Sequence, residues 1–291
     1  MPILGSFAAG SGKGFGLTAG SSPYMEANGG SVSEVGDYKI HVFTSPGNFI
    51  VSKAPDPTLA YADYLVTGGA GGNAPSNRGT AAGGFRESVP NPAAWTGSPL
   101  ANPNGALPMS VATYPISIGA TGSPQPSQNT QGNNGNASSF STISAAGGGG
   151  GGVGHYTQPV KSNPGKPGGC GGSGGGYPPN TGAGGGTGNN PPTNPPQGQP
   201  GAWNGGGGCI GSGGGGGAAG AGTEIAGGIS NIGVPGSGTP NAPNLRYFAG
   251  GSGQGGSGDG NAPNNPTGGT DEAYGGSGGP SGLVLIRYRF K

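Results

Sequence analysis

Fifty-two of the 133 residues between Gly147 and Gly279 are glycine, yet β-strand sequence brackets this run on both sides. Tyr38–Thr44 reads YKIHVFT, and Leu283–Phe290 reads LVLIRYRF. Glycine tracts are ordinarily flexible linkers, but a linker does not need strands at both ends. The contrast predicts a glycine scaffold inserted into a β-domain. The glycines fall in runs, such as Gly147–Gly152 and Gly213–Gly217, separated by Asn/Pro-rich turns. Collagen needs glycine at every third position, and GGCGGSGGGYPPN breaks that register. What remains is a bundle of extended three-fold helices of the polyproline II type. Such a helix has no internal hydrogen bonds, so its peptide groups must find partners on neighbouring helices. Only a residue without Cβ lets the backbones come that close.

Low charge supports an ordered insertion. The 291 residues include 76 glycines and 30 prolines, a share that usually signals disorder. Charged residues make up only 7%, however, so self-repulsion does not hold the chain open. Net charge is +1, with the basic residues scattered, which gives no footprint for nucleic acid. No apolar stretch is long enough for a spanning helix, so no membrane insertion is expected. MPILGSFAAGSGKGF lacks the charged and apolar regions of a secretory leader. The expected route out of a cell is therefore lysis, as part of a virion.

The chain reads as four parts. Residues 1–36 carry isolated apolar residues without strand or helix periodicity and read as an N-terminal attachment arm. Residues 37–146 hold β-sandwich strands with loop insertions. Strands are expected at Tyr38–Thr44, Asn48–Val51, Tyr61–Val66, Ala112–Ile118 and Ser138–Ile143, and one more at Leu245–Phe248. Residues 147–279 are the glycine insertion, and 280–291 the closing strand. In that strand Val284, Ile286, Tyr288 and Phe290 face one way. Leu283, Leu285, Arg287, Arg289 and Lys291 face the other, a face that turns polar towards its end. The last strand is expected to pair near the first.

Chemistry is sparse. Gly10-Ser11-Gly12-Lys13 lacks the first glycine of a phosphate-binding loop, because Phe7 stands there, and Gly14 stands where Ser or Thr is needed. His41 reads as a strand residue beside Phe43, and His155 follows a glycine run. Cys170 and Cys209 read as small buried spacers or a single disulfide. No catalytic residues, metal ligands or cofactor are expected. Tyr156, Tyr177, Trp203, Tyr247, Phe248 and Tyr274 are the aromatic residues of the glycine block. They either seal the sides of the bundle or stack on sugar rings from exposed loops. Tyr177, before Pro178-Pro179-Asn180, and the Trp203-Asn204 turn are the best placed for the second role.

An ordered series of segments carries a resemblance. YKIHVFTSPGNF at 38–49, DYLVTGG at 63–69, AGGFR at 82–86, YPISIG at 114–119, GNASSFSTI at 135–143 and GGPSGLVLIRY at 278–288 occur in this order. Over residues 37–291 the chain resembles the glycine-rich virion proteins of tailed phages, especially those of marine cyanobacteria. The valine-and-glycine run after the third strand is shorter here, and Pro and Asn are more frequent. The resemblance implies a mainly β fold: an antiparallel β-sandwich, jelly-roll or TNF-like, with an inserted polyglycine II bundle. A similar combination is known in tail-fibre tip adhesins of some T-even-like phages. The glycine-rich module of the anaplastic lymphoma kinase receptors is an architectural parallel. The implied function is a non-enzymatic receptor-binding adhesin at a tail or fibre tip. The alternative is a capsid knob, head fibre or decoration protein. The expected partners are other virion proteins, through residues 1–36, and a host surface glycan or outer-membrane protein. Tyr156, Tyr177, Trp203 and Asn204 are the candidate receptor contacts, and a homotrimer is the expected assembly.

Overall fold

The computed structural model describes residues 22–73, 81–88, 101–102, 104–125, 130–155, 161–169, 171, 175–176, 184–202, 211–212, 216, 236–237, 247–248 and 281–291. Its regular elements are all strands. They are β1 (Glu26–Asn28), β2 (Ser31–Val35), β3 (Tyr38–Phe43), β4 (Gly47–Lys53), β5 (Tyr61–Thr67), β6 (Phe85–Ser88), β7 (Ala101–Asn102), β8 (Leu107–Pro108) and β9 (Ala112–Ser117). Then follow β10 (Ser138–Phe140), β11 (Ile143–Ala145), β12 (Val153–His155), β13 (Lys161–Asn163), β14 (Gly175–Gly176), β15 (Gly211–Ser212), β16 (Gly236–Ser237), β17 (Tyr247–Phe248) and β18 (Leu283–Arg289). The fold is mainly β, with no helix among the described residues.

Two large sheets form the body. One has the order β1-β4-β9-β10-β11, and the other β2-β3-β18-β5-β6-β7 with β8 added against β5. Both are antiparallel apart from the parallel pair β6–β7. The closing strand β18 lies between β3 and β5, with Ile286 opposite both His41 and Tyr64. The first strand long enough to bury a row of side chains thus pairs directly with the last. Alternation explains this placement. Val284, Ile286 and Tyr288 enter one buried cluster with Phe49, Val51, Ile116 and Phe140 of the facing sheet. Leu283 and Leu285 join Ile40, Leu65 and Phe85 in a second cluster on the opposite face of their sheet. Phe49, fully buried, sits at the centre of the first cluster. Its ring meets Phe140 edge-on at 5.9 Å and His41 edge-on at 5.1 Å, both favourable geometries for aromatic pairs.

Residues 26–35, assigned above to an arm without strand periodicity, form two strands. Each is short or solvent-facing. β1 buries Ala27 alone, with Met25 buried just before it, and β2 is exposed at all five positions. Pairing with β4 and β3 holds them, so no apolar alternation marks them in the sequence. The stretch read as one strand at Ser138–Ile143 is a hairpin, because Ser141 takes a left-handed conformation (φ 52°) and reverses the chain. Arg287, read on the face that turns polar, is fully buried.

Beyond one end of the body the strands run on as extended glycine-rich segments. Residues 68–73 follow β5, 81–84 precede β6, 119–125 follow β9, 131–137 precede β10 and 146–152 follow β11. Their backbone hydrogen bonds repeat every third residue. Gly68 and Gly71 donate to the carbonyls of Gly84 and Ala81, each at 2.9 Å. Gly69 and Gly72 donate to Asn136 and Asn133, at 3.0 and 2.7 Å. The carbonyls of Ala70 and Asn73 accept from Gly122 and Gln125, and those of Gly69 and Gly72 from Gly148 and Gly151. A strand in a sheet has two neighbours, whereas this segment has four. The same step continues outward, where Gly165 and Gly168 donate to Gly184 and Thr187, and Lys166 and Gly169 to Gly150 and Gly147. This array joins residues of the stretch 37–146 to the run that begins at Gly147.

Candidate functional site

The end of the body away from the glycine array holds a buried charge pair. Four residues along β5 from Thr67, about 13 Å at strand rise, lies Asp63. It stands opposite Arg287 of β18. The Arg287 guanidinium donates to Asp63 Oδ2 from Nε at 3.2 Å and from Nη2 at 2.5 Å. Ser88 Oγ donates to Asp63 Oδ1 at 3.0 Å. The same hydroxyl accepts from the Tyr64 amide at 3.1 Å. The Tyr38 ring covers the guanidinium, 4.2 Å from ring centroid to Cζ, a cation–π distance. Both charged side chains are nearly inaccessible to solvent, at 1% for Arg287 and 5% for Asp63. Burial pushes the Asp63 carboxyl up, against the pull of the Arg287 charge and of the hydrogen bonds from Arg287 and Ser88.

Above the pair opens a cleft of about 510 Å³, a volume usual for small-molecule sites. Its walls include Tyr38, Tyr61, Leu59, Arg289 and the Asn104–Gly105–Ala106 loop. Tyr61 is 46% exposed and presents its ring to solvent. Arg289 lies 3.6 Å from Asp37 and has the Tyr24 ring 5.2 Å from its Cζ. Each cation of the cleft therefore has its own counter-charge. Such a surface can hold a flat polar ring by stacking and hydrogen bonds. The carboxylate is occupied by Arg287 and Ser88, and among the described residues no histidine lines the cleft.

His41 is sealed between the sheets instead. Its Nδ1–H donates to the Gly29 carbonyl at 2.6 Å, and its ring stacks on Tyr288 at 5.6 Å. Nε2 is buried, with no hydrogen-bond partner among the described residues. Burial, aided by the charge of Lys39, holds its pKa below the usual histidine value, and the Gly29 bond opposes this only in part. Tyr288 completes the latch by accepting from the Ala27 amide at 3.0 Å, so both rings tie the entry segment to the core. Among the described residues, no group of three or more His, Cys, Asp or Glu side chains is placed to hold a metal ion. No helix among them is long and apolar enough to cross a membrane.

The four candidate receptor contacts, Tyr156, Tyr177, Trp203 and Asn204, lie outside the described residues, as do Cys170, Cys209 and residues 1–21. Sequence reasoning missed Asp63 and Arg287 as partners, since only the register of β5 against β18 brings them together. It also missed Gln197. That side chain accepts from the Ala146 amide at 2.8 Å and donates to the Pro191 carbonyl at 2.6 Å, standing in for a peptide group beside the glycine array. The density of Asn and Gln around the glycine runs is the signal that could have found it. Asn134 plays the same part, donating to the Pro167 carbonyl and accepting from the Gly150 amide.

Two face-to-face sheets that run into a hydrogen-bonded glycine array define a glycine-rich β-protein. The model of the glycine-rich domain family matches residues 44–289, and the chain belongs to that family. No curated protein and no solved structure matches it.

Proposed function

We propose that this protein is a non-enzymatic virion adhesin of a tailed phage, in which a rigid glycine bundle presents loops to a host surface. The observation that carries the reading is the three-residue step of the backbone hydrogen bonds. A three-fold extended helix of the polyglycine II kind repeats every third residue and turns its peptide groups outward to several neighbours. Segments of this kind, packed side by side, form the inserted bundle, and the two sheets form a jelly-roll or TNF-like sandwich that carries it. Turns held at the ends of such a bundle lose little entropy on binding. Tyr156, Tyr177, Trp203 and Asn204 belong to the stretches that join the described segments of the array. Aromatic rings there suit a host glycan or an outer-membrane protein.

The residues before Ser22 attach the protein to other virion proteins. A homotrimer fits the exposed edge strand β2, because ring closure would cover it. Purified protein is expected to compete with phage for adsorption to host cells. Trp203→Ala should weaken that competition without lowering the melting temperature. Full adsorption in the presence of saturating protein, with labelled antibody decorating heads rather than tails, would replace this reading with a capsid knob or decoration role.

A further inference from the structure

A second cleft, of about 430 Å³, opens at the side of the body between the edges of the two sheets. Arg86 of β6 enters it from one sheet. Thr142, Ile143 and Ser144 of the β10–β11 hairpin border it from the other, and Pro191, Thr193, Asn194 and Gln197 close it. Arg86 stands opposite Val66, whose side chain belongs to the cluster between the sheets, so its stem is directed to the inner side. The residue is half-buried. Among the described residues, no hydrogen bond, ion pair or ring contact forms on its guanidinium, and no acidic side chain lines the cleft. This sets Arg86 apart from Arg287 and Arg289, which face Asp63 and Asp37.

A half-buried guanidinium has given up part of its hydration without a counter-charge. Its planar fork matches the two oxygens of a carboxylate. The rim supplies groups of a different kind. The hydroxyls of Thr142 and Ser144 and the amide of Asn194 are exposed and make no hydrogen bond within the described protein. They suit a ligand rich in hydroxyls. Ala137, Ile143, Ala146 and Pro191 add apolar wall for the C–H face of a pyranose.

The loop that closes the cleft is fixed before any ligand arrives. Asn189 Oδ1 accepts from the amides of Thr193 at 2.9 Å and Gln197 at 3.1 Å, and Thr193 Oγ1 donates to the Pro195 carbonyl at 2.9 Å. Binding there would order little new chain.

We propose that this cleft binds a carboxylated sugar, a uronate unit of an acidic polysaccharide, with the carboxylate on Arg86 and the ring hydroxyls on Thr142, Ser144 and Asn194. The site is separate from the turns of the glycine bundle, and it stands whether or not the protein is an adhesin. Calorimetric titration of the full-length protein with glucuronate, glucose and acetate tests it. Glucuronate should bind at least about tenfold more tightly than either other probe, since it alone engages both the guanidinium and the rim. Arg86→Gln should lose about tenfold in glucuronate affinity, and Ser144→Ala a smaller factor, with both variants melting like the wild type. Equal binding of glucose would remove the role of Arg86. Equal binding of acetate would reduce the cleft to a simple anion site and overturn the proposal. So would undetectable glucuronate binding, or an unchanged affinity in Arg86→Gln. Because the probes are soluble sugars and no cells are involved, failure here leaves the adsorption experiment untouched.

Discussion

The two-sheet body and the glycine array use opposite means to close the same gap. In the body, Phe49, Phe140, Tyr288 and their neighbours fill the space between the sheets, and the sheets stay a side chain's length apart on each side. Where the strands run on into glycine the filling stops, and the two layers meet through their backbones. Gly69, continuing β5, donates to Asn136, which leads into β10 of the other sheet, and Gly282, before β18, donates to Gly119, after β9. One region is held by apolar burial with peptide bonding confined to each sheet. The other has almost no side chain to bury and bonds its peptides in several directions. Side chains set the spacing of layers in the first, and their absence sets it in the second.

That difference makes sharp demands on substitutions. The largest effect is expected for Phe49→Ala, which should destabilise the body by about 3–5 kcal/mol in denaturant unfolding, the usual range for emptying a buried aromatic site. In the array the sign of the change reverses, and adding one methyl does the damage. A Cβ on Gly71 would lie 2.1 Å from the Gly149 carbonyl oxygen. Gly71→Ala should therefore cost about 1–3 kcal/mol or more by overpacking. Gly184 is the control, with open space around its Cβ position and no positive φ. Gly184→Ala should be neutral or stabilise by about 0.4–1 kcal/mol, because alanine narrows the unfolded ensemble. Equal costs at 71 and 184 would break the comparison.

The smallest effect is one of pH. His41 has a lowered pKa in the folded state, so the unfolded chain takes up its proton first. Stability should be level above the unfolded value near 6.5 and fall as pH drops below it. For one proton the slope is at most about 1.4 kcal/mol per unit, and it ends once pH passes below the folded value. His41→Leu should remove that slope, measured as melting temperature against pH. An unchanged slope would place the titrating group elsewhere.

The sequence announces the body because its strands are dense in apolar residues. Tyr38–Phe43 alternates Tyr, Ile and Val with Lys, His and Phe, whereas Tyr61–Thr67 and Leu283–Arg289 carry apolar residues on both faces, and all three are strands in one sheet. β2 escapes such a reading, since an edge strand exposed at every residue has no buried face to mark it. The array is legible only as composition. Gly68, Gly69, Gly71 and Gly72 look alike in the sequence, yet two donate to one neighbour and two to another. Nothing in a glycine's chemistry encodes which. The candidate sites are hidden for a further reason. Asp63 and Arg287 are 224 positions apart, and only pairing of the last strand with β5 joins them. Arg86 is conspicuous only once Arg287 and Arg289 are seen to have partners.

Amide hydrogen exchange of the native protein tests the central claim most directly, the claim that a lattice of hydrogen bonds between peptide groups holds the glycine segments as firmly as side chains hold the sheets. Gly69, Gly72, Gly148 and Gly151 donate across the array. Their amides should be protected by a factor on the order of 10³ or more, comparable with Val66 and Ile286 in the sheet, if the two regions open together. Exchange of these four glycines at the rate of an unstructured chain, while Val66 and Ile286 stay protected, would contradict the account.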